Sequence, residues 1–314
     1  AYCKFFSNKN LLKIFLFQPF RIEKSTPTDF ISTSYLVYHM ELDRYRPGFI
    51  VYTHKYTLMT SDGTTTYLIA GNSAQGGYRE GVGADARFYR ITGFAQITEK
   101  LVVVADSNNH CMRLIDRTTN KTSAFSGQCK PHGYQDGRPG QFYYPYSVVM
   151  DQKDKNQLLI TDCLNNAART VAMKSQVVGT FVKSDSLQFI RGITQEEKSG
   201  DLYVTGNHAV YRITYIQRTV SLISGSTGYY SSGYRDITLL DSLFYLPHEL
   251  IFIKPQTLLV ADNYNDKLRL VDMNSDQVTT LNVTNSLSQP RSLLLTNNSL
   301  YVGQLWKITQ YKCE

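Results

Sequence analysis

Long apolar runs are missing from this chain. The longest apolar stretch, LLKIFLFQPF at 11–20, is too short to span a bilayer and is interrupted by Lys13. It has the apolar core of a signal peptide, but no small-residue cleavage site follows it. The five cysteines include no Cys-x-x-Cys pair, which excludes zinc ribbons and thioredoxin-like redox motifs. No phosphate-cradling glycine loop and no Ser-His-Asp arrangement can be found. The net charge of +7 is modest for 314 residues, and residues 1–60 carry eight Lys/Arg against four Asp/Glu. A charge excess that diffuse does not make a nucleic-acid footprint.

What the chain has is repetition. LVVVADSNNHCMRLID (101–116), LLITDCLNNAARTVA (158–172), LYVTGNHAVYRIT (202–214), LLVADNYNDKLRLVD (258–272) and LYVGQLWKIT (300–309) share one text. Each reads as an apolar strand, a polar turn, and a second strand with a cation at its centre. The anchors Asp106, Asp162, Gly206, Asp262 and Gln304 are spaced by 56, 44, 56 and 42 residues, the size of a four-stranded propeller blade plus a variable loop. The apolar runs are continuous rather than alternating, as expected of strands covered on both faces. Ahead of the repeats stand GGYREGVGADARF (76–88), GYQDGRPGQFYYP (133–145) and GYRDITLLDSLFYLP (233–247), whose Gly and Pro mark them as loops.

This text resembles the NHL repeat family of six-bladed β-propellers. Gly81, Ala86, Phe88, Gly93, Ala105, Asp106, Asn109, Arg113 and Asp116 match its pattern. The copy at 188–225 has lost the glycine loop, and the copy at 289–310 is short. The resemblance implies an all-β fold, a single propeller over 1–314 with four-stranded antiparallel blades at 35–71, 93–127, 146–182, 191–225, 248–283 and 291–310. The last blade lacks its outer strand. A strand from 1–25, centred on 11–17, is expected to complete it and so remove both free sheet edges.

The central cations Arg113, Arg169, Arg212, Arg269 and Lys307 read as partners of blade carboxylates. Asp106, Asp162 and Asp262 read as caps of the turn between the second and third strands. Cys129 falls across a hairpin from Cys111, and Cys3 falls beside Cys313 at the ring closure. Both pairs are expected disulfides, leaving Cys163 over. Asn120, Asn282 and Asn297 head glycosylation sequons. The disulfides favour a secreted or luminal protein, and the sequons permit a glycoprotein without arguing for one.

The innermost strand of each blade should start at the channel rim, at Thr92, Tyr146, Arg191, His248 and Arg291. Peptidyl-amidoglycolate lyases, similar in repeat text, hold zinc with histidines at such positions; only Pro247-His248 matches. Lactonase-type propellers need axial oxygens for calcium, and Glu249 is the one carboxylate beside the rim. The expectation is therefore no enzyme, no catalytic residue, no metal and no cofactor. The cationic mouth of Tyr146, Arg191, His248 and Arg291 suits an anionic group. Tyr143, Tyr144, Tyr229 and Tyr230 suit contact with a protein or glycan on the loop face. The alternative is single-stranded RNA on that face, as in propellers of tripartite-motif proteins.

Overall fold

The computed structural model describes residues 27–228 and 231–313. Six antiparallel sheets make a six-bladed β-propeller in which the innermost strands of successive blades contact one another. From the axis outward, blade one is Met40–Leu42, Ile50–His54, Thr57–Ser61 and Thr66–Gly71. Blade two is Ile91–Gln96, Leu101–Asp106, Cys111–Asp116 and Lys121–Ser126. A short fifth strand, Gly81–Val82, pairs with Lys121 and Thr122 on its outer edge. Blade three is Pro145–Met150, Gln157–Asp162, Ala167–Ala172 and Val178–Lys183. Blade four is Ile193–Gln195, Leu202–Gly206, His208–Ile213 and Val220–Ser226. Blade five is Pro247–Lys254, Thr257–Asp262, Lys267–Asp272 and Gln277–Leu281. Blade six takes Ser292–Leu295, Ser299–Gly303 and Lys307–Lys312 from the end of the chain.

Its fourth strand is Thr28–Ser32, antiparallel to Lys307–Lys312. Closure by a strand from the start of the chain therefore holds, but the strand is not the apolar stretch 11–17, which lies outside the described residues. Phe30 packs edge-on against Tyr301 at 5.1 Å, and Lys307 reaches Asp29 at 2.9 Å. Phe30 and Ile31 pack against the cluster of Val37, Met40, Ile50, Tyr52 and Ile308, and the backbone ladder supplies the pairing.

The second strands explain the continuous apolar text. Val102, Val103, Val104, Leu158, Leu159, Ile160, Leu258, Leu259 and Val260 are all fully buried, because each strand packs against a blade on either side. Each such side chain contributes about 1.5–3 kcal/mol of burial.

The repeated cations are internal ties. Arg113, Arg169 and Arg269 are fully buried and reach Asp106 at 3.2 Å, Asp162 at 2.8 Å and Asp262 at 2.8 Å. Each guanidinium also lies between a loop tyrosine and the phenylalanine that ends the glycine loop: Tyr78 and Phe88, Tyr134 and Phe142, Tyr234 and Phe244, at 4.3–5.4 Å. The aspartates stand at the start of their turns but make no side-chain cap hydrogen bond there, so the expected capping role is corrected. One oxygen accepts the main-chain N–H of Tyr89, Tyr143 or Tyr245 in the incoming loop. The other accepts from Asn109, Asn165 or Asn265, and each of these amides also donates to the loop carbonyl of Gly77, Gly133 or Gly233. In this way three repeated polar residues fix the loop that leads to the channel.

Cys111 and Cys129 form a disulfide. Cys313 is disulfide-bonded; Cys3 lies outside the described residues. Asn120, Asn282 and Asn297 are exposed, Asn120 and Asn297 on hairpin turns. No helix among the described residues is long and apolar enough to cross a membrane.

Candidate functional site at the channel mouth

Two residues ahead of Tyr146, Arg191, His248 and Arg291 the chain turns through a left-handed residue that is not glycine: Tyr144 (φ 62°), Phe189 (φ 52°), Leu246 (φ 49°) and Gln289 (φ 47°). Such a conformation costs about 1–2 kcal/mol for a residue with a Cβ. It persists here because each N–H is held by a side chain of the preceding blade. His110 and His208 accept through Nδ1 from Tyr144 and Leu246, and Asn166 and Asp266 accept from Phe189 and Gln289.

Main-chain ties also fix the rim residues themselves. Thr92, Thr161 and Thr205 donate to the carbonyls of Tyr146, Arg191 and His248 in the next blade. Gly192 lets the blades approach: a Cβ there would meet the His248 carbonyl oxygen at 2.3 Å.

Tyr146, Arg191, His248 and Arg291 are brought together around one cavity of about 260 Å³. The reading from sequence missed Tyr38, Arg90, Cys163, Phe189 and Tyr264, which line it as well, and it placed Tyr144 on the loop face although Tyr144 also lines the mouth. Thr92 is not there; it is fully buried against Ser107 and the Tyr146 carbonyl. Tyr143 stacks on His132 at 4.1 Å. Tyr229 and Tyr230 lie outside the described residues.

The cavity has a neutral floor and a cationic wall. The Tyr146 hydroxyl and His248 Nδ1 share a 3.0 Å hydrogen bond, and Tyr38 sits edge-on to Tyr146. Burial, reinforced by Arg291 and Arg191, holds His248 well below the usual histidine range, and burial pushes the Tyr146 hydroxyl up. The Cys163 thiol is pushed to about 12 by burial, so it stays protonated and is no nucleophile. Arg90 donates to the Tyr144 hydroxyl at 2.7 Å and Arg291 to Gln289 at 3.2 Å, and both guanidinium groups lie over Tyr38. No ion pair joins Arg90, Arg191 or Arg291 to a carboxylate among the described residues. Arg191 Nη1 and Arg291 Nε are buried without any hydrogen-bond partner.

A second polar group lies on the innermost strands. His39 Nδ1 bonds Glu249 at 2.7 Å, and Glu249 also accepts from the Leu293 N–H, so blades one, five and six are joined. Glu41 stands 3.5 Å from His39 Nε2 and takes a hydrogen bond from Gln96. Burial alone would lower the His39 pKa, but the two carboxylates outweigh it and raise it to about 10. His39 was not singled out in the sequence. No group of three or more His, Cys, Asp and Glu that could hold a metal ion occurs among the described residues.

No family model matches the chain. The Arabidopsis thaliana protein SUPPRESSOR OF QUENCHING 1, chloroplastic, is 24% identical over 264 residues, covering 73% of this chain. The chain spans 25% of that relative's length. An auxiliary nutrient binding protein from Bacteroides ovatus superposes with a TM-score of 0.69 at 12% identity, covering 90% of this chain and 70% of that one. A gluconolactonase from Xanthomonas campestris gives 0.66 at 8%, covering 94% and 91%. A streptogramin B lyase gives 0.58 at 12%, covering 92% and 98%.

The chain is a six-bladed β-propeller.

Identities this low show the fold alone, so the repeat text keeps only its resemblance to NHL sequences. The expectation that the protein is no enzyme is corrected: propellers of this shape include a gluconolactonase and a lyase beside a nutrient binding protein. The fold carries both kinds of activity.

Proposed function

We propose that this propeller, a single NHL-type unit, recognises an anionic group of a protein or glycan partner at its channel mouth. One observation carries the reading: Arg191 and Arg291 present buried N–H groups that nothing among the described residues satisfies. An unpaired buried donor costs about 1–3 kcal/mol, more when charged, and a carboxylate, sulfate or phosphate would remove that cost. Tyr38, Tyr144 and Tyr264 give the mouth flat amphipathic walls that lose little entropy on contact. The Cys111–Cys129 disulfide supports a secreted or luminal setting, and the fold shared with a nutrient binding protein supports a binding partner.

The test is thermal unfolding in sodium sulfate against sodium chloride at equal ionic strength. Sulfate should raise the Tm saturably in the native protein and not in Arg191→Met. An equal sulfate effect in both proteins, or none in either, refutes the reading.

A further inference from the structure

Blade four breaks the repeat in two places that meet. Its innermost strand is reached through 184–192, whereas blades three and five are reached through the longer stretches 127–144 and 227–246. The rim is therefore low at blade four. A cavity of about 400 Å³ lies there, lined by Phe189, Arg191, Asn207, His208, Tyr245 and Leu246 among others; it shares Phe189, Arg191 and Leu246 with the mouth.

The second break is Asn207. Ser107 and Asn263, the corresponding residues of blades two and five, each donate to the carbonyl just ahead of the next rim residue, Pro145 and Pro290. Asn207 makes no such bond. It is 3% exposed, and its Nδ2 has no hydrogen-bond partner.

Resting on the reading of the mouth as an anion site, we propose that mouth and notch form one elongated site for an acidic saccharide. A carboxylate or sulfate on one sugar lies between Arg191 and Arg291, and oxygens of the next sugar accept from Asn207 Nδ2.

The chemistry of the unpartnered atoms selects this class. Arg191 Nη1, Arg291 Nε and Asn207 Nδ2 are all N–H donors. A matching ligand is rich in acceptor oxygens. A sugar hydroxyl donates as well as accepts but can turn its proton toward solvent, whereas a peptide N–H is fixed in direction and would demand an acceptor where it points. The wall of the notch is also fitting: Tyr245 is 38% exposed and leans at 30° against Tyr264, a flat aromatic face for the C–H face of a sugar ring.

The experiment is calorimetric titration of the full chain with inorganic sulfate, galacturonic acid, trigalacturonic acid and a triglutamate peptide. Trigalacturonate should bind at least ten-fold more tightly than galacturonate. Asn207→Leu should remove that gain while leaving the sulfate affinity unchanged. Asn207→Asp, which keeps the shape and replaces the donor with an acceptor, should also remove the gain and guards against a variant that fails to fold. A trisaccharide no tighter than the monosaccharide, or a gain that survives both substitutions, overturns the second subsite. Triglutamate binding as tightly as trigalacturonate overturns the saccharide assignment. If sulfate itself fails to bind, the mouth reading falls, a result distinguishable from either of these.

Discussion

His110 Nδ1 accepts the main-chain N–H of Tyr144 at 3.2 Å, so a turn of blade two holds a left-handed residue of blade three at the rim. Burial, with His132 and Lys130 nearby, lowers the His110 pKa below 6.5. The neutral form is the one that accepts. Stability from this tie is therefore full above 6.5 and is lost as pH falls through the lowered value.

The first prediction concerns that tie. Asn166 of blade three does the same work for Phe189 at the entry to blade four without titrating, so His110→Asn should unfold with a shallower loss of Tm below pH 6.5 than the native protein. His110→Ala leaves the N–H unpaired and should cost about 1–3 kcal/mol at neutral pH. Denaturant unfolding across pH measures both, and parallel pH profiles would defeat the assignment.

Two buried arginines should respond in opposite ways to the same substitution. Arg269 is paired with Asp262 and Asp236 and donates to the carbonyls of Leu243 and Arg235. Arg269→Met strands those partners and should cost about 3–5 kcal/mol. Arg291 is 9% exposed with no carboxylate and an unpartnered Nε. Arg291→Met should leave the stability unchanged or raise it, by about 1–3 kcal/mol of relieved desolvation at most. Chemical denaturation of the two variants side by side decides the matter; equal losses would remove the distinction between structural and ligand-facing arginines.

Blade closure at the axis should weaken in alkali. The raised pKa of His39, about 10, means that its bonds to Glu249 and Glu41 stabilise fully below 6.5 and fade as pH rises through 10. His39→Gln should therefore cost about 3 kcal/mol at pH 6 and progressively less toward pH 10. A difference that stays constant across this interval would show that His39 is not charged in the folded protein.

The strands were legible because the repeat restates its own text: Val102–Val104 and Leu258–Val260 announce doubly covered strands, and the Asp–Asn–Arg spacing announces the blade tie. Rim positions followed from aligning the entry texts of the repeats, which found Tyr146, Arg191, His248 and Arg291 but not Tyr38, since blade one does not carry the repeat text. Tyr144 was misplaced because its left-handed turn is set by a histidine in another blade, and neither residue advertises such a turn. His39 was passed over because its partner Glu249 comes from a blade that is not its neighbour. The closing strand was sought in the most apolar segment, whereas Thr28–Ser32 needs a free ladder edge more than it needs hydrophobicity.

That closing strand sets an order on biosynthesis. Asp29 meets Thr309 only after 280 further residues have left the ribosome, about 15–55 s at ordinary elongation rates. Until then the nascent ring stays open at one seam, its early strand unmated and its sixth sheet unfinished. Completion therefore waits for the sixth sheet to emerge, and any chaperone that guards this protein has that interval in which to act.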